Sequence, residues 1–168
     1  MTVLGLDAST TVVGWAIQTD GIIQDAGFLD ISKYDTNKQK GLVILETLVN
    51  HPLFFEIEKI NLEAALSGFA GGFTSQQVII KLSRWNAILE YMIGEDWHKP
   101  VILLNVNTMR KKVLGKARIK GIKPKEYVKQ ELPKIVPNLT KFDKLNKKGT
   151  WDAHNSDMYD AIVCALFG

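Results

Sequence analysis

The 168-residue chain has one cysteine, Cys164, and three histidines, His51, His98 and His154. A lone thiol excludes a disulfide framework and points to a reducing compartment. The histidines show no metal-ligand spacing and read as loop or capping residues. His154 alone lies close enough in sequence to Asp157 to stand behind it. There is no convincing Ser/His or Cys/His set. No apolar run approaches membrane-spanning length, and the opening residues lack the basic-then-apolar pattern of an export signal. A cytoplasmic location follows as the expectation. Internal repeats and low-complexity tracts are also missing. The chain therefore reads as one domain, residues 1–168, long enough to bury a core without staples.

Acidic residues are absent from one long stretch. Arg110, Lys111, Lys112, Lys116, Arg118, Lys120, Lys123 and Lys125 fall within sixteen residues that contain no Asp or Glu. Lys141, Lys144, Lys147 and Lys148 form a second cluster. The net charge of +3 decides little, but such local density suits a polyanion, with a solvated loop as the bland alternative.

What is present is an alternation of β-rich and helical runs. Val3–Leu6, Thr11–Thr19 and Gly21–Leu29 read as three successive strands, with Asp20-Gly21 as the tight turn between the second and third. Asn37–Asn50 has helical apolar spacing and is stopped by His51-Pro52. Glu58–Glu63 reads as a fourth strand. A glycine-bearing loop follows, and Thr74-Ser-Gln-Gln77 has the form of a capping box. The helix it opens carries Val78, Leu82, Trp85, Leu89 and Met92 at alternating four and three spacing, with Gly94 as its stop. Val101–Val106 reads as a fifth strand, Pro124 to about Leu132 as a helix with proline in its first turn, and Asn155–Phe167 as the last helix. The order predicts an α/β layer structure, a five-stranded mixed sheet flanked by helices.

Four carboxylates stand out against this frame. Asp7 and Glu63 each close a short apolar strand, at the end where open α/β sheets hold their ligands. Asp157 and Asp160 are three residues apart on the last helix, which places them on one face about 5–6 Å apart at Cβ. Apart from this grouping, Asp7 would read as a turn residue, and the helical pair as acids favoured by the helix dipole. Together they would repel strongly unless cations neutralise them. An all-oxygen cluster suits Mg²⁺ or Mn²⁺ better than zinc.

Gly5-Leu-Asp-Ala-Ser-Thr-Thr-Val-Val-Gly-Trp-Ala16, Glu63 after the fourth strand, and Asp157-x-x-Asp160-Ala-Ile-Val-Cys-Ala-Leu together resemble the RuvC family of Holliday junction resolvases, within the ribonuclease H-like superfamily. The resemblance runs from end to end. It implies a ribonuclease H-like fold and a homodimeric endonuclease of four-way DNA junctions, cytoplasmic or nucleoid-associated. It also implies two Mg²⁺ per site, with Mn²⁺ able to substitute, held by Asp7, Glu63, Asp157 and Asp160 as the metal-binding and catalytic acids. Phe69 and Phe73 fall in the loop where the family meets its junction, although Phe73 also suits a hydrophobic staple before Thr74. Arg110 or Lys111, and Lys125, are similar to the family's basic positions that meet phosphates, and with Lys116 and Arg118 of the same basic stretch they are the expected DNA-binding residues. The basic segment is longer than the family's, in keeping with a phage-type or organellar member, and in a phage-encoded protein the site of action would be the host cytoplasm. The helix 74–93 has a second apolar surface at Ile79, Ile80 and Ile88, which fits dimerisation.

Other functions stay open at this stage. The same acids would serve a nuclease acting on RNA–DNA hybrids or flaps. The opening Gly5–Thr11 also resembles the phosphate-binding start of actin-like and sugar-kinase ATPases, but the chain is too short for their second lobe. A non-catalytic junction-binding protein is the remaining class.

Overall fold

The Asp20-Gly21 turn sets the first feature of the architecture. Both residues take positive φ, 51° and 84°, as a two-residue hairpin loop of right-handed twist requires. In this computed structural model, which describes residues 1–65 and 76–168, the turn joins strands β2 (Val12–Thr19) and β3 (Ile22–Asp30). Strand β1 (Thr2–Ala8) pairs antiparallel with β2 and parallel with β4 (Ile57–Glu63), which in turn pairs parallel with β5 (Val101–Leu104). The described strands form one mixed sheet in the order β3-β2-β1-β4-β5.

Alternation along the strands divides the core in two. Leu4, Leu6, Val13, Ile17, Ile60 and Leu62 face helices α1 (Asn37–Val49) and α2 (Gln76–Trp97), where Ile44, Leu48, Trp85, Leu89 and Ile93 are buried. On the other face lie α3 (Val106–Leu114), α4 (Pro124–Ile135) and α5 (Asn155–Leu166), with Met109, Tyr127, Leu132, Met158 and Ile162 in the core. Helix α5 lies so close to the sheet that two glycines are needed beneath it. A Cβ on Gly5 would stand 2.2 Å from the carbonyl oxygen of Ala161, and one on Gly14 would stand 2.1 Å from that of Asp157. Side chains at these positions would push α5 off the sheet.

Three expectations from sequence are corrected. The fifth strand ends at Leu104, and Val106 begins a helix instead of extending the strand. The physical reason is Asn105, whose side chain accepts the amides of Asn107 and Thr108 as an N-cap; Gly115, with φ 85°, closes the helix. Helix α2 runs past Gly94 to Trp97. Its buried stripe is Trp85, Asn86, Leu89 and Ile93, while Val78 is exposed and Met92 half-buried. The capping box at Thr74 lies outside the described residues.

Candidate active site

The parallel pairing of β1 and β4 aligns Leu6 with Leu62, so Asp7 and Glu63 follow at the same sheet edge. Both belong to the face that carries α5: Gly5 and Asn61, two residues earlier on each strand, meet α5 directly. Helix α5 runs from that edge downward. The backbone of Asp157 lies over Gly14, which pairs with Asp7 in the sheet, and Ala161 and Ala165 lie over Gly5. Asp157 and Asp160 are thereby brought to the strand acids.

The electrostatics register this convergence. Burial, then the charges of Glu63, Asp160 and Asp157, hold the Asp7 carboxyl well above the ordinary carboxylate range. Burial and then Asp160 push Glu63 up to about 7. Asp160 is also raised by its burial, against the opposing pull of Arg110. Cys164, beneath the cluster, is a buried thiol pushed well up, first by burial and then by Glu63 and Asp7.

Two cations answer the helical acids. The Arg110 guanidinium, itself buried, donates from Nη2 to Asp160 Oδ1 at 2.7 Å. Lys125, half-exposed at the mouth, donates to Asp157 Oδ1 at 2.5 Å and to Ser156 Oγ at 3.2 Å. Burial opposes both cations, but these acids hold each pKa above its usual value. His154 Nδ1 stands 3.4 Å from Asp157 Oδ2.

The strand acids make no ion pair among the described residues. Glu63 Oε2 is buried there without a hydrogen-bond partner, while the carbonyl of Glu63 accepts from Asn86 Nδ2 at 2.8 Å. A cleft of about 160 Å³ opens beside them, lined by Asp7, Ser9, Glu63, Leu82 and Asn86 among others. Among the described residues no three acid, histidine or cysteine side chains stand in a closed metal-ligand arrangement; Arg110 and Lys125 engage oxygens of Asp160 and Asp157. The donor set is nonetheless chemically suited to a hard divalent cation: carboxylate oxygens, mutually repelling, one of them orphaned in a buried position.

The remaining sequence candidates fall elsewhere. Lys111, Lys116 and Arg118 are exposed, on α3 and the loop after it. Arg110 is not one of this outward group; its guanidinium is turned inward on Asp160. Phe69 and Phe73 lie outside the described residues. The burial of Arg110 was hidden in the sequence because α3 itself was hidden. With Asn105 read as an N-cap, Val106, Met109 and Arg110 fall at helical spacing on one face.

No model of a known protein family matches the sequence, and no curated protein matches it. Solved structures do. The Thermus thermophilus RuvC structure matches at 16% identity over 99% of this chain and 92% of that chain, with a TM-score of 0.64. The yeast mitochondrial Holliday junction resolvase matches at 14% identity over 98% and 75%, with a TM-score of 0.60. The Fowlpox virus resolvase, solved with substrate Holliday junction DNA, matches at 14% over 99% and 95%, with a TM-score of 0.50. At these identities the likeness is one of architecture, and the chain has a RuvC-like resolvase fold.

Proposed function

We propose that this protein is a divalent-metal-dependent endonuclease that resolves four-way DNA junctions with paired nicks, acting as a homodimer. The observation that supports it most is the meeting of Asp7, Glu63, Asp157 and Asp160 at one sheet edge, with a buried Glu63 oxygen left unpartnered. These four residues would hold two Mg²⁺, or Mn²⁺ in their place. Ions bound there supply a water nucleophile at neutral pH and stabilise charge on the leaving oxygen.

The chain's own groups have separate tasks. Arg110 orients Asp160 through a buried, charge-assisted bond. Lys125 keeps its ammonium at the mouth of the site, on Asp157, where it can turn to an incoming phosphate. Asn86 fixes the exit of β4 by holding the Glu63 carbonyl. The exposed Lys111, Lys116 and Arg118 offer further phosphate contacts. The junction as substrate draws support from the neighbours, since Thermus RuvC and the Fowlpox resolvase were both solved with Holliday junction DNA.

A second copy of the chain suits the apolar surface on α2 and the edge strand. Ile80, Ile88 and Tyr91 of α2 are exposed, as are Ile102 and Leu103 of β5. Leu103 shares a cleft with Ala87 and Glu90.

The test is Mg²⁺-dependent cleavage of an end-labelled four-way junction, mapped on all strands beside RNA–DNA hybrids, flaps and plain duplex at matched salt. Symmetric paired nicks in the junction are expected. Faster cutting of hybrids or flaps would transfer the site to another nuclease of the same architecture.

A further inference from the structure

Lys144, Lys147 and Lys148 of the second lysine cluster are displayed on a hairpin, and Lys141 lies in the 3-10 turn Leu139–Phe142 before it. Leu145 and Trp151 form an antiparallel bridge, and the turn between them is closed almost entirely by Asn146. Its amide donates to the Thr150 carbonyl at 2.8 Å, and its Nδ2 to Thr150 Oγ1 at 2.8 Å. Its Oδ1 accepts the amides of Lys148 and Thr150, and its carbonyl accepts that of Gly149. Gly149 supplies the positive φ of 74° that the turn needs.

The base of the hairpin is equally fixed. Asn155, the fully buried first residue of α5, clamps Lys144 in both directions: its Oδ1 accepts the Lys144 amide and its Nδ2 donates to the Lys144 carbonyl. Trp151 lies edge-on to Tyr159 and under the Lys129 ammonium, 4.1 Å from the ring centroid. A loop needed only to connect α4 to α5 has no use for this bonding.

The acids nearby are already engaged. Asp152 caps the His154 amide and Asp143 accepts the Tyr159 hydroxyl. Lys141, Lys144, Lys147 and Lys148 make no ion pair among the described residues; Lys144 lies over Phe28 of β3. The hairpin is joined directly to the N-terminal end of α5, so it stands at the sheet edge that carries Asp7, on the β3 side. Lys125, in the first turn of α4, reaches the same acid cluster at Asp157.

We infer that the hairpin Lys144–Trp151 is a second phosphate-binding element, gripping the backbone of a DNA arm that leaves the acid cluster on the β3 side. A rigid turn fixes the backbone of Lys147 and Lys148 at its tip, so that binding orders only their side chains. The inference rests on the nuclease reading.

The test compares the full-length protein with its K147A/K148A and K147E/K148E variants, binding a fluorescent four-way junction in EDTA from 50 to 200 mM salt. Each lost phosphate contact lowers the salt slope by roughly 0.9. The alanine pair is expected to flatten the slope by about 1–2 and to weaken binding about tenfold at low salt, with the charge reversals weaker still. Thermal midpoints and single-turnover cutting at saturating junction should stay at wild-type values, since both side chains lie outside the acid cluster. Unchanged affinity and slope in a wild-type background that binds and cuts would overturn the hairpin's role alone. A wild-type protein that neither binds nor cuts junctions would overturn the nuclease reading, and this inference with it.

Discussion

Among the described residues Asp7 and Glu63, on strands, pair with no cation of their own, whereas Asp157 and Asp160, on α5, hold Lys125 and Arg110. The two pairs occupy one site but differ in how their charge is balanced. For the helical pair the protein itself supplies a counter-charge to each acid, Lys125 to Asp157 and Arg110 to Asp160. For the strand pair, burial and the neighbouring carboxylates outweigh the pull of Arg110 and Lys125, and Glu63 is pushed up to about 7. The largest electrostatic gain from a divalent cation therefore lies at the strand pair.

The comparison predicts unequal losses. Asp7→Asn should lower single-turnover junction cutting by ~10³-fold or more while leaving junction binding near wild type. Asp157→Asn, which removes an acid already shared with Lys125, should cost ~10–100-fold. Equal losses at the two positions would break the distinction between the pairs.

Stability against pH sharpens it. Asp7, Glu63 and Asp160 all titrate higher in the folded protein than in the unfolded chain. Their protonated forms thus favour folding at low pH, and that contribution is lost as pH rises through the folded values. For Glu63 the window runs from 4.5 to about 7, a loss on the order of 3 kcal/mol. Urea unfolding in EDTA should show the protein more stable at pH 5 than at pH 8, with Mg²⁺ raising stability more at pH 8. A flat profile, or an equal Mg²⁺ effect at both values, would mean the strand acids are not the strained pair.

Much of this site could be read in the sequence, for identifiable reasons. Asp7 and Glu63 close runs whose β-character is local, and the three-residue spacing of Asp157 and Asp160 needs only helical geometry. Gly5 and Gly14 were visible within the opening run, but their purpose was not: it depends on the closeness of α5, a tertiary fact. Arg110 was misplaced for a different reason. The apolar run 101–106 continues the strand pattern through Asn105, and only the cap bonds of that side chain turn the chain into α3. Among twenty-one Lys and Arg residues, charge alone could not show that Arg110 folds inward onto Asp160.

That inward position makes Arg110 the next place to test the comparison. Arg110→Met removes the cation and leaves Asp160 buried at 4% exposure. Breaking a buried pair from one side is costly, but Asp160 can take up a proton, so a loss of about 2 kcal/mol is expected at pH 8 and less at pH 5. Urea titrations at the two pH values check it. A pH-independent loss would mean Arg110 acts by packing and not as the counter-charge of Asp160.

The smallest expected effect on stability is at Lys125. Its side chain is 54% exposed, so the pair with Asp157 is screened by solvent, and Lys125→Ala should change stability by about 1 kcal/mol or less. Its influence should appear in binding instead. With the ammonium gone, Asp157 presents a free carboxylate, and Mn²⁺ titrated into the DNA-free protein should bind a few-fold more tightly by calorimetry. Junction affinity should fall at the same time, because the lysine no longer meets a phosphate. Tighter metal with weaker DNA would identify Lys125 as the counter-charge that Asp157 gives up when substrate arrives. Weaker metal binding in the variant would show instead that Lys125 holds Asp157 in the geometry the ion needs, and the two helical acids would then be pre-set by their cations rather than merely neutralised.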